Sequence, residues 1–341
     1  MNLSPALLSV LDDPDERGHL RLAASSFDEP LFLCSRTKTF RIRQINQSNT
    51  LLIVEKSTTV KGNDPAVRIS KLPGTMLESV LTDNSTADIS FLPEYDCASH
   101  AAKASKGTAY TWQDVKARVP VSDRDLEVAK KVQLGVEALP TDGNAWRLSS
   151  AGIERFLPLI LEALHIARLS PNKLRVSDVV EALKDDNDSS DECEPKVIAA
   201  VLRRFSDSYN EPYNLDMAEI SRWFGLRVLS EQVETVKVSE FLTAWADALP
   251  PVLDAACDLA CLAGEFVQPT TTTIRYLPSS GLPSEPSARF RRLFAVKSTW
   301  ELDDILPYVK DIEKDKIKIN SLLMKHTRRR VVKGKTYIDK R

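Results

Sequence analysis

Cations are concentrated in the last 32 residues of this 341-residue sequence. Between Lys310 and Arg341, twelve Lys and Arg residues stand against four Asp and Glu, a local charge of +8. The whole chain carries a formal charge of −2, so residues 1–309 carry −10. Side chains able to neutralise an anion therefore lie at one end of an otherwise acidic molecule, which indicates an anionic partner there.

Apolar spacing predicts how a helix would present these cations. If residues 315–326 are helical, the face spaced i, i+3, i+4 and i+7 packs into a core and comprises Ile319, Leu322, Leu323 and His326. The candidate DNA-binding residues lie on the opposite stripe and in the segment that follows: Lys314, Lys318, Lys325, Arg328, Arg329, Arg330, Lys333, Lys335, Lys340 and Arg341. Together they would neutralise several phosphates without reading base sequence.

Two other interpretations of this segment stay open. A basic cluster is also typical of a solvated tail or of a nuclear localisation signal. Asn320 is the one side chain in the helix suited to an adenine edge, but a lone Asn is more often an ordinary helix-surface residue.

Four helix-start signals recur along the second part of the chain, and their spacing predicts a repeated module. Thr111, Ser177, Ser239 and Thr299 each have the residue type and setting of an N-cap, at intervals of 66, 62 and 60 residues. Thr111 and Asp114 also form the pattern of a capping box. One unit used several times is the simplest reading of such spacing.

The contents of the intervals predict a winged-helix plan, namely two helices followed by a β-hairpin. After Thr299 we expect helices at 300–309 and 315–326 and a hairpin at 330–337 that turns at Lys333-Gly334-Lys335. The other intervals predict helices at 112–118, 123–133, 178–183, 195–205, 240–248 and 251–262, with hairpins ending near Leu148, Tyr213 and Tyr276. Leading helices are predicted at 151–167, 215–228 and 287–294. The domains are then a partial unit at 105–150 and winged helices at 151–214, 215–283 and 284–341.

The first hundred residues follow a strand-like pattern instead. Short β-branched or aromatic runs lie at 20–23, 30–34, 40–45 and 50–54, with weaker strand signals at 66–69 and 76–81. A sheet of a few short strands has exposed edges, which a partner commonly covers. We therefore predict that residues 1–98 form a β half barrel completed by another chain. Its candidate partner-binding residues are Leu31, Leu33, Phe40, Ile42, Leu51 and Ile53. The fold class predicted for the whole chain is α+β.

Residue patterns of catalysis are weak throughout the sequence. Cys257 and Cys261 lie one helical turn apart, but no nearby Cys or His would complete a zinc site. None of the four histidines lies in a triad or ligand motif, and there is no phosphate-binding GxxxxGK[ST] loop. We therefore predict no enzyme and neither cofactor nor metal. The acidic run at 185–194 is predicted to be a solvated loop.

Targeting signals are equally sparse. No apolar run approaches the roughly 18 to 20 residues of a membrane span, and the acidic first residues are unlike a secretory signal. Five scattered cysteines are typical of a reducing compartment, so we predict an intracellular protein without membrane contact.

Two blocks of residues resemble a known family. The first comprises Leu33-Cys34-Ser35, Lys38-Thr39-Phe40, Ser48-Asn49 and Leu51-Leu52. The second comprises Arg289-Phe290, Leu293-Phe294, Trp300, Asp304-Ile305, Pro307-Tyr308, Leu322-Leu323, Lys325 and Lys335-Thr336-Tyr337. Both are similar to the eukaryotic sister chromatid cohesion protein of the alternative, cohesion-linked replication factor C. The resemblance covers about the first and last 55 residues and does not extend to 55–107 or to the acidic run.

The resemblance implies a nuclear, non-enzymatic accessory subunit. Such a subunit forms a heterodimer with a small barrel protein, and the pair holds the C-terminal tail of the clamp loader's large subunit. The winged helices of the family imply binding to single- or double-stranded DNA and docking onto DNA polymerase epsilon, in support of replication and cohesion. The alternatives are a stand-alone winged-helix DNA-binding regulator and a winged-helix tandem used for protein contacts alone.

Overall fold

The computed structural model describes most of the chain as a mixture of helices and small sheets, the α+β class that was predicted. It covers residues 3–46, 52–57, 66–71, 75–82, 87–95, 109–136, 143–184, 194–232, 234–250, 257–310, 312–313 and 316–341. The chain divides into two compact units, residues 1–163 with 169–214 and residues 164–168 with 215–341. The finer domain boundaries stay predictions.

The first unit opens with two short helices that the sequence reading missed. They are α1, Pro5–Asp12, and α2, Pro14–Gly18, and each begins with proline at its first position. The Ser4 and Asp13 side chains accept hydrogen bonds from first-turn amides, so each helix has a side-chain N-cap. The overlooked signal was therefore local: Ser-Pro and Asp-Pro at the two helix starts.

Six predicted strands of the first hundred residues are present, each displaced by three residues or fewer at either end. In chain order they are β1, Arg21–Ala23; β2, Phe32–Cys34; β3, Thr39–Asn46; β4, Leu52–Ser57; β5, Ala66–Lys71; and β6, Thr75–Thr82. An antiparallel sheet has the order β1-β2-β3-β6, and β4 and β5 form a separate two-stranded pair. Among the described residues these strands do not close into a barrel.

A single arginine ties this sheet to the following helices. The guanidinium of Arg21 donates to the backbone carbonyls of Lys116, Val119 and Val121, and its Nε lies 3.2 Å from a carboxylate oxygen of Asp123. Carbonyls at a helix end lack partners within the helix, so this side chain satisfies groups that would otherwise need water.

The segment from Glu94 to Leu148 contains the predicted capping box and helix pair. The elements are β7, Glu94–Tyr95; α3, Trp112–Arg118; α4, Asp123–Val132; β8, Gly135–Val136; and β9, Trp146–Leu148, with sheet order β7-β9-β8. Thr111 and Asp114 exchange both capping-box bonds, and the Ser122 hydroxyl caps α4. The predicted N-cap at Thr111 is therefore confirmed.

The last part of the first unit departs from prediction at two points. Its helices are α5, Ser150–Ile166, of which residues 164–166 are assigned to the second unit; α6, Val176–Lys184; and α7, Pro195–Arg204. Ser177 is not an N-cap, since α6 already includes it; the first amide, of Val176, donates instead to the Glu211 carboxylate at 3.2 Å. The hairpin predicted near Tyr213 is absent from the described residues, and one antiparallel bridge joins Leu174 to Tyr213.

The second unit begins with α8, Met217–Ser230, followed by β10, Val236–Lys237, and α9, Val238–Ala248. Strands β11, Phe266–Val267, and β12, Thr273–Tyr276, complete a sheet of order β10-β12-β11. The predicted cap at Ser239 is wrong, because β10 pairs with β12 and the helix begins directly after it, at Val238. Of the helix predicted at 251–262, residues 251–256 lie outside the described residues and 259–262 form a short 3-10 turn.

Residues 286–340 form a helix, strand, helix, helix and hairpin. These are α10, Pro286–Val296; β13, Thr299–Glu301; α11, Leu302–Lys310; α12, Lys316–His326; β14, Thr327–Val332; and β15, Lys335–Lys340. The sheet order is β13-β15-β14, and the core contains Phe290, Leu293, Trp300, Tyr308 and Ile338. The predicted cap at Thr299 is wrong, because residues 299–301 pair with β15 and delay the helix to Leu302.

Candidate nucleic-acid interface

Helix α12 presents its predicted faces. Ile319 and Leu323 are buried, and the His326 ring stacks on Phe290 with centroids 5.4 Å apart and an interplanar angle of 15°. Lys318 and Lys325 are exposed on the opposite side. The predicted core stripe is confirmed, and it is what orients the two lysines toward solvent.

The hairpin after α12 projects the arginine run. Its two-residue turn is Lys333-Gly334, with φ angles of +48° and +81°, which is the conformation that matches the twist of a hairpin. Arg328, Arg329 and Arg330 on β14 are all exposed, and successive side chains point to opposite faces of the sheet. Lys314 lies outside the described residues.

Three of the candidate cations form an ion pair or a hydrogen bond with another group of this chain. Arg330 Nε lies 3.4 Å from the Asp339 carboxylate, and Lys335 Nζ lies 3.0 Å from the Glu301 carboxylate. The hydrogen bond to Glu301 raises the pKa of Lys335 above its usual value. Arg341 donates at 2.8 Å to the carbonyl of Lys325 near the end of α12. These pairs leave less positive charge for an external anion than the bare count of cations suggests.

The other candidates within the described residues make no ion pair there. They are Lys318, Lys325, Arg328, Arg329, Lys333 and Lys340, all exposed. Six exposed charges on one helix and one hairpin form a surface that can neutralise phosphates. We call this set the unpaired cations.

A buried arginine stabilises the fold of residues 286–340 through hydrogen bonds to the backbone. Arg289 is 3% exposed and donates to the carbonyls of Pro283 at 2.7 Å, Tyr308 at 2.7 Å, Leu282 at 3.2 Å and Ser279 at 3.3 Å. Sequence reasoning counted Arg289 only as part of a family motif. Its burial shows that the motif reflects architecture, and no local pattern of charge distinguished it from the exposed Arg291 and Arg292.

Tyr308 has a similar supporting role. Its hydroxyl lies 2.5 Å from the Phe266 carbonyl and 3.1 Å from the Leu277 carbonyl, and its ring meets Trp300 edge to face. Burial raises the pKa of Tyr308 far above its ordinary value, so the hydroxyl remains a donor at any physiological pH.

The candidate partner-binding residues lie on two separate sheets. Leu31, Leu33, Phe40 and Ile42 belong to one face of the four-stranded sheet, by the register that aligns Leu33 with Phe40. Phe40 is fully buried with Leu7 and Val10 of α1, so it is not available at the surface of this chain, whereas Leu31 is exposed. Leu51 lies outside the described residues, as does the side chain of Ile53 on β4.

Sequence reasoning missed three exposed leucines on the same face. Leu22 is paired with Leu33 and Leu81 with Phe40, and Leu77, four residues from Leu81 on β6, is paired with Gln44. They are 59%, 47% and 41% exposed. Their alternation along the strands was visible, but only the register identifies the common face. We call Leu22, Leu31, Leu77 and Leu81 the leucine rim.

Groups suited to catalysis do not converge in the described part of the chain. No cluster of three or more His, Cys, Asp and Glu there could hold a metal ion. Burial raises the pKa of Cys34 to about 11, which suppresses the thiolate. Among the residues that the structure describes, no helix is long and apolar enough to cross a bilayer.

The described residues thus form a basic helix-and-hairpin module and a sheet that carries exposed leucines on one face. Comparison with known proteins gives the particular family: the family model of the sister chromatid cohesion protein Dcc1 matches residues 1–309. The chain belongs to this family of sister chromatid cohesion proteins.

The relatives span the whole chain at low identity. The sister chromatid cohesion protein DCC1 of Saccharomyces cerevisiae is 26% identical over 380 residues, which covers 100% of this chain and 96% of that protein. The DCC1 proteins of Danio rerio and Homo sapiens are 26% and 23% identical, covering 96% and 100% of this chain and 86% and 88% of theirs. The Saccharomyces cerevisiae and Homo sapiens alignments thus include the basic C-terminal residues that the family model does not match.

Proposed function

We propose that this chain is a non-catalytic accessory subunit of an alternative replication factor C clamp loader, which it links to DNA in support of replication and sister chromatid cohesion. The observation that carries the proposal is the position of the unpaired cations on one helix and one hairpin, in a chain of the cohesion family. ATP hydrolysis would belong to other subunits.

The module at 286–340 is, in this proposal, a winged helix. Helix α12 is its recognition helix and β14 with β15 its wing, so the cations on both would meet phosphates of one nucleic acid. The cations on α12 and on the hairpin would contact phosphates, which favours binding that depends on charge and shape.

The four-stranded sheet is proposed to be completed by a small barrel subunit. The leucine rim lies on the face of the sheet that packs against α1 and is exposed. Among the described strands β6 is an edge of this sheet, so its backbone groups are candidates for pairing with another chain. The C-terminal tail of the clamp loader's large subunit would join the same assembly. We also propose nuclear localisation and docking onto DNA polymerase epsilon, for which the support is the family resemblance alone.

A co-purification experiment tests the barrel contact. The full chain with Leu77→Glu and Leu81→Glu would be co-expressed with the small barrel subunit and the large-subunit tail, with Val132→Glu as the control. Val132 is another exposed apolar residue of the same unit, at the end of α4. We expect the leucine variant to lose co-purification and the control to retain it.

The opposite result would favour the alternative of a stand-alone regulator. If the leucine variant co-purified as well as the control, or if the unaltered chain recovered no barrel subunit, the sheet would not be the docking surface. A stable, monodisperse chain without any partner would then make the sheet a self-sufficient domain.

A further inference from the structure

A small cavity opens between α12 and the first strand of the hairpin. Its volume is about 150 Å³, and it is lined by Leu302, Asn320, Leu323, Met324, Thr327, Arg329 and Ile338. It is smaller than the roughly 300–1,000 Å³ typical of drug-sized ligands. The space admits one planar ring or one side chain.

The floor and rim of the cavity differ in chemistry. Leu323, Thr327 and Ile338 are buried, and the Thr327 hydroxyl donates at 2.6 Å to the Leu323 carbonyl, so the floor presents apolar surface. Met324 and Arg329 stand on the rim and are exposed, and Met324 is 72% exposed in spite of being apolar. Met324 thus presents most of its apolar side chain to solvent at the mouth of the cavity.

Charge identifies the class of ligand. No carboxylate lies among the side chains that line the cavity, and Arg329 makes no ion pair with a described residue. Lys325, also unpaired, follows Met324 directly on the helix. The ligand should therefore carry negative charge next to an apolar, flat group.

We propose that this cavity receives an unstacked base of single-stranded DNA. The Asn320 amide offers a donor and an acceptor to the base edge, the Met324 thioether packs on its ring, and Arg329 contacts the adjoining phosphate. Base packing of this kind tolerates any sequence. The inference rests on the proposed DNA role and adds a preference for single strands.

The experiment compares a thymine oligonucleotide with a fully abasic strand of equal length, using the full chain. Both strands carry the same phosphates, so only contacts to bases distinguish them. We expect the unaltered chain to bind the thymine strand at least about five-fold more tightly, the lower limit for stacking one base on a protein side chain. The double variant Asn320→Leu and Met324→Ala should remove that difference and leave abasic binding unchanged.

Lys325→Gln serves as the matched control on the same helix. This substitution should lower the affinity for both strands by the same factor and preserve the preference for the strand that carries bases. Because Asn320 and Met324 are exposed, the thermal midpoint of the double variant is expected to match that of the unaltered chain.

Different failures overturn different claims. Equal affinity for the two strands in the unaltered chain, or a preference that survives the double variant, would overturn the base site and leave phosphate binding intact. Binding of neither strand would overturn the proposed DNA role itself. If Lys325→Gln alone weakened binding of the thymine strand and the double variant bound it as tightly as the unaltered chain, the phosphates would be the whole ligand.

Discussion

At the scale of single residues, the module at 286–340 separates cations that stabilise the fold from cations that face solvent. Arg289 and Arg291 lie two positions apart on α10, yet one is buried against four carbonyls and the other is exposed. Sequence treats both as basic residues of one helix. Only the packed structure shows that Arg289 satisfies backbone groups in the turn at 279–283 and in α11.

Removing the guanidinium of Arg289 should therefore destabilise the protein. Arg289→Met keeps an apolar stem but leaves buried carbonyls without donors, which is expected to lower the free energy of unfolding by about 3 kcal/mol. Arg291→Met, at an exposed site, should change it by less than about 0.5 kcal/mol. Urea unfolding followed by circular dichroism measures both, and equal effects would show that the Arg289 bonds are not needed for stability.

At the scale of elements, the sequence predicted helices and strands well and helix starts unevenly. Strand and helix positions follow from periodicity, which survives in each segment regardless of context. The N-cap at Thr111 was predicted correctly because the capping side chain lies close in sequence to the amide that it accepts from. The N-caps predicted at Ser239 and Thr299 failed because strands β10 and β13 form just before the helices, and pairing with distant residues cannot be predicted from local spacing.

This contrast can be tested by one substitution at a confirmed N-cap and one at a residue that was wrongly predicted to be an N-cap. Thr111→Ala removes a capping box and should cost about 1 kcal/mol of stability. Ser239→Ala, inside the first turn of α9 and exposed, should be neutral or slightly stabilising, because alanine has the higher helix propensity. Thermal unfolding measures the stability of each variant. An equal loss of stability in Ser239→Ala and Thr111→Ala would contradict the structure.

The hairpin turn allows a second test at this scale. Gly334 has a φ of +81° and open space around the position of a Cβ, so alanine there would be strained through the backbone alone. Gly334→Ala should destabilise by about 1 kcal/mol. Gly281→Ala, at a glycine of ordinary φ, is the control and should have no such cost; similar melting temperatures for the two would argue against the turn.

At the scale of the whole molecule, net charge and exposed apolar side chains are distributed unevenly along the chain. The acidic majority of the chain carries the leucine rim, and the basic end carries the unpaired cations. The family resemblance and the basic surface could be predicted from the sequence. Which lysines and arginines are neutralised by Asp339 and Glu301 could not, because those pairs depend on the register of β13, β14 and β15.

The most direct test of the central claim compares two pairs of cations in the same module. Binding of the full chain to duplex DNA would be measured across a salt series for Lys318→Gln with Lys325→Gln, and for Arg330→Gln with Lys335→Gln. Each phosphate contact contributes about 0.9 to the slope of log affinity against log salt. The account predicts a slope shallower by nearly two for the α12 pair and little change for the ion-paired residues. Equal slopes in both variants, or binding that does not depend on salt, would contradict it.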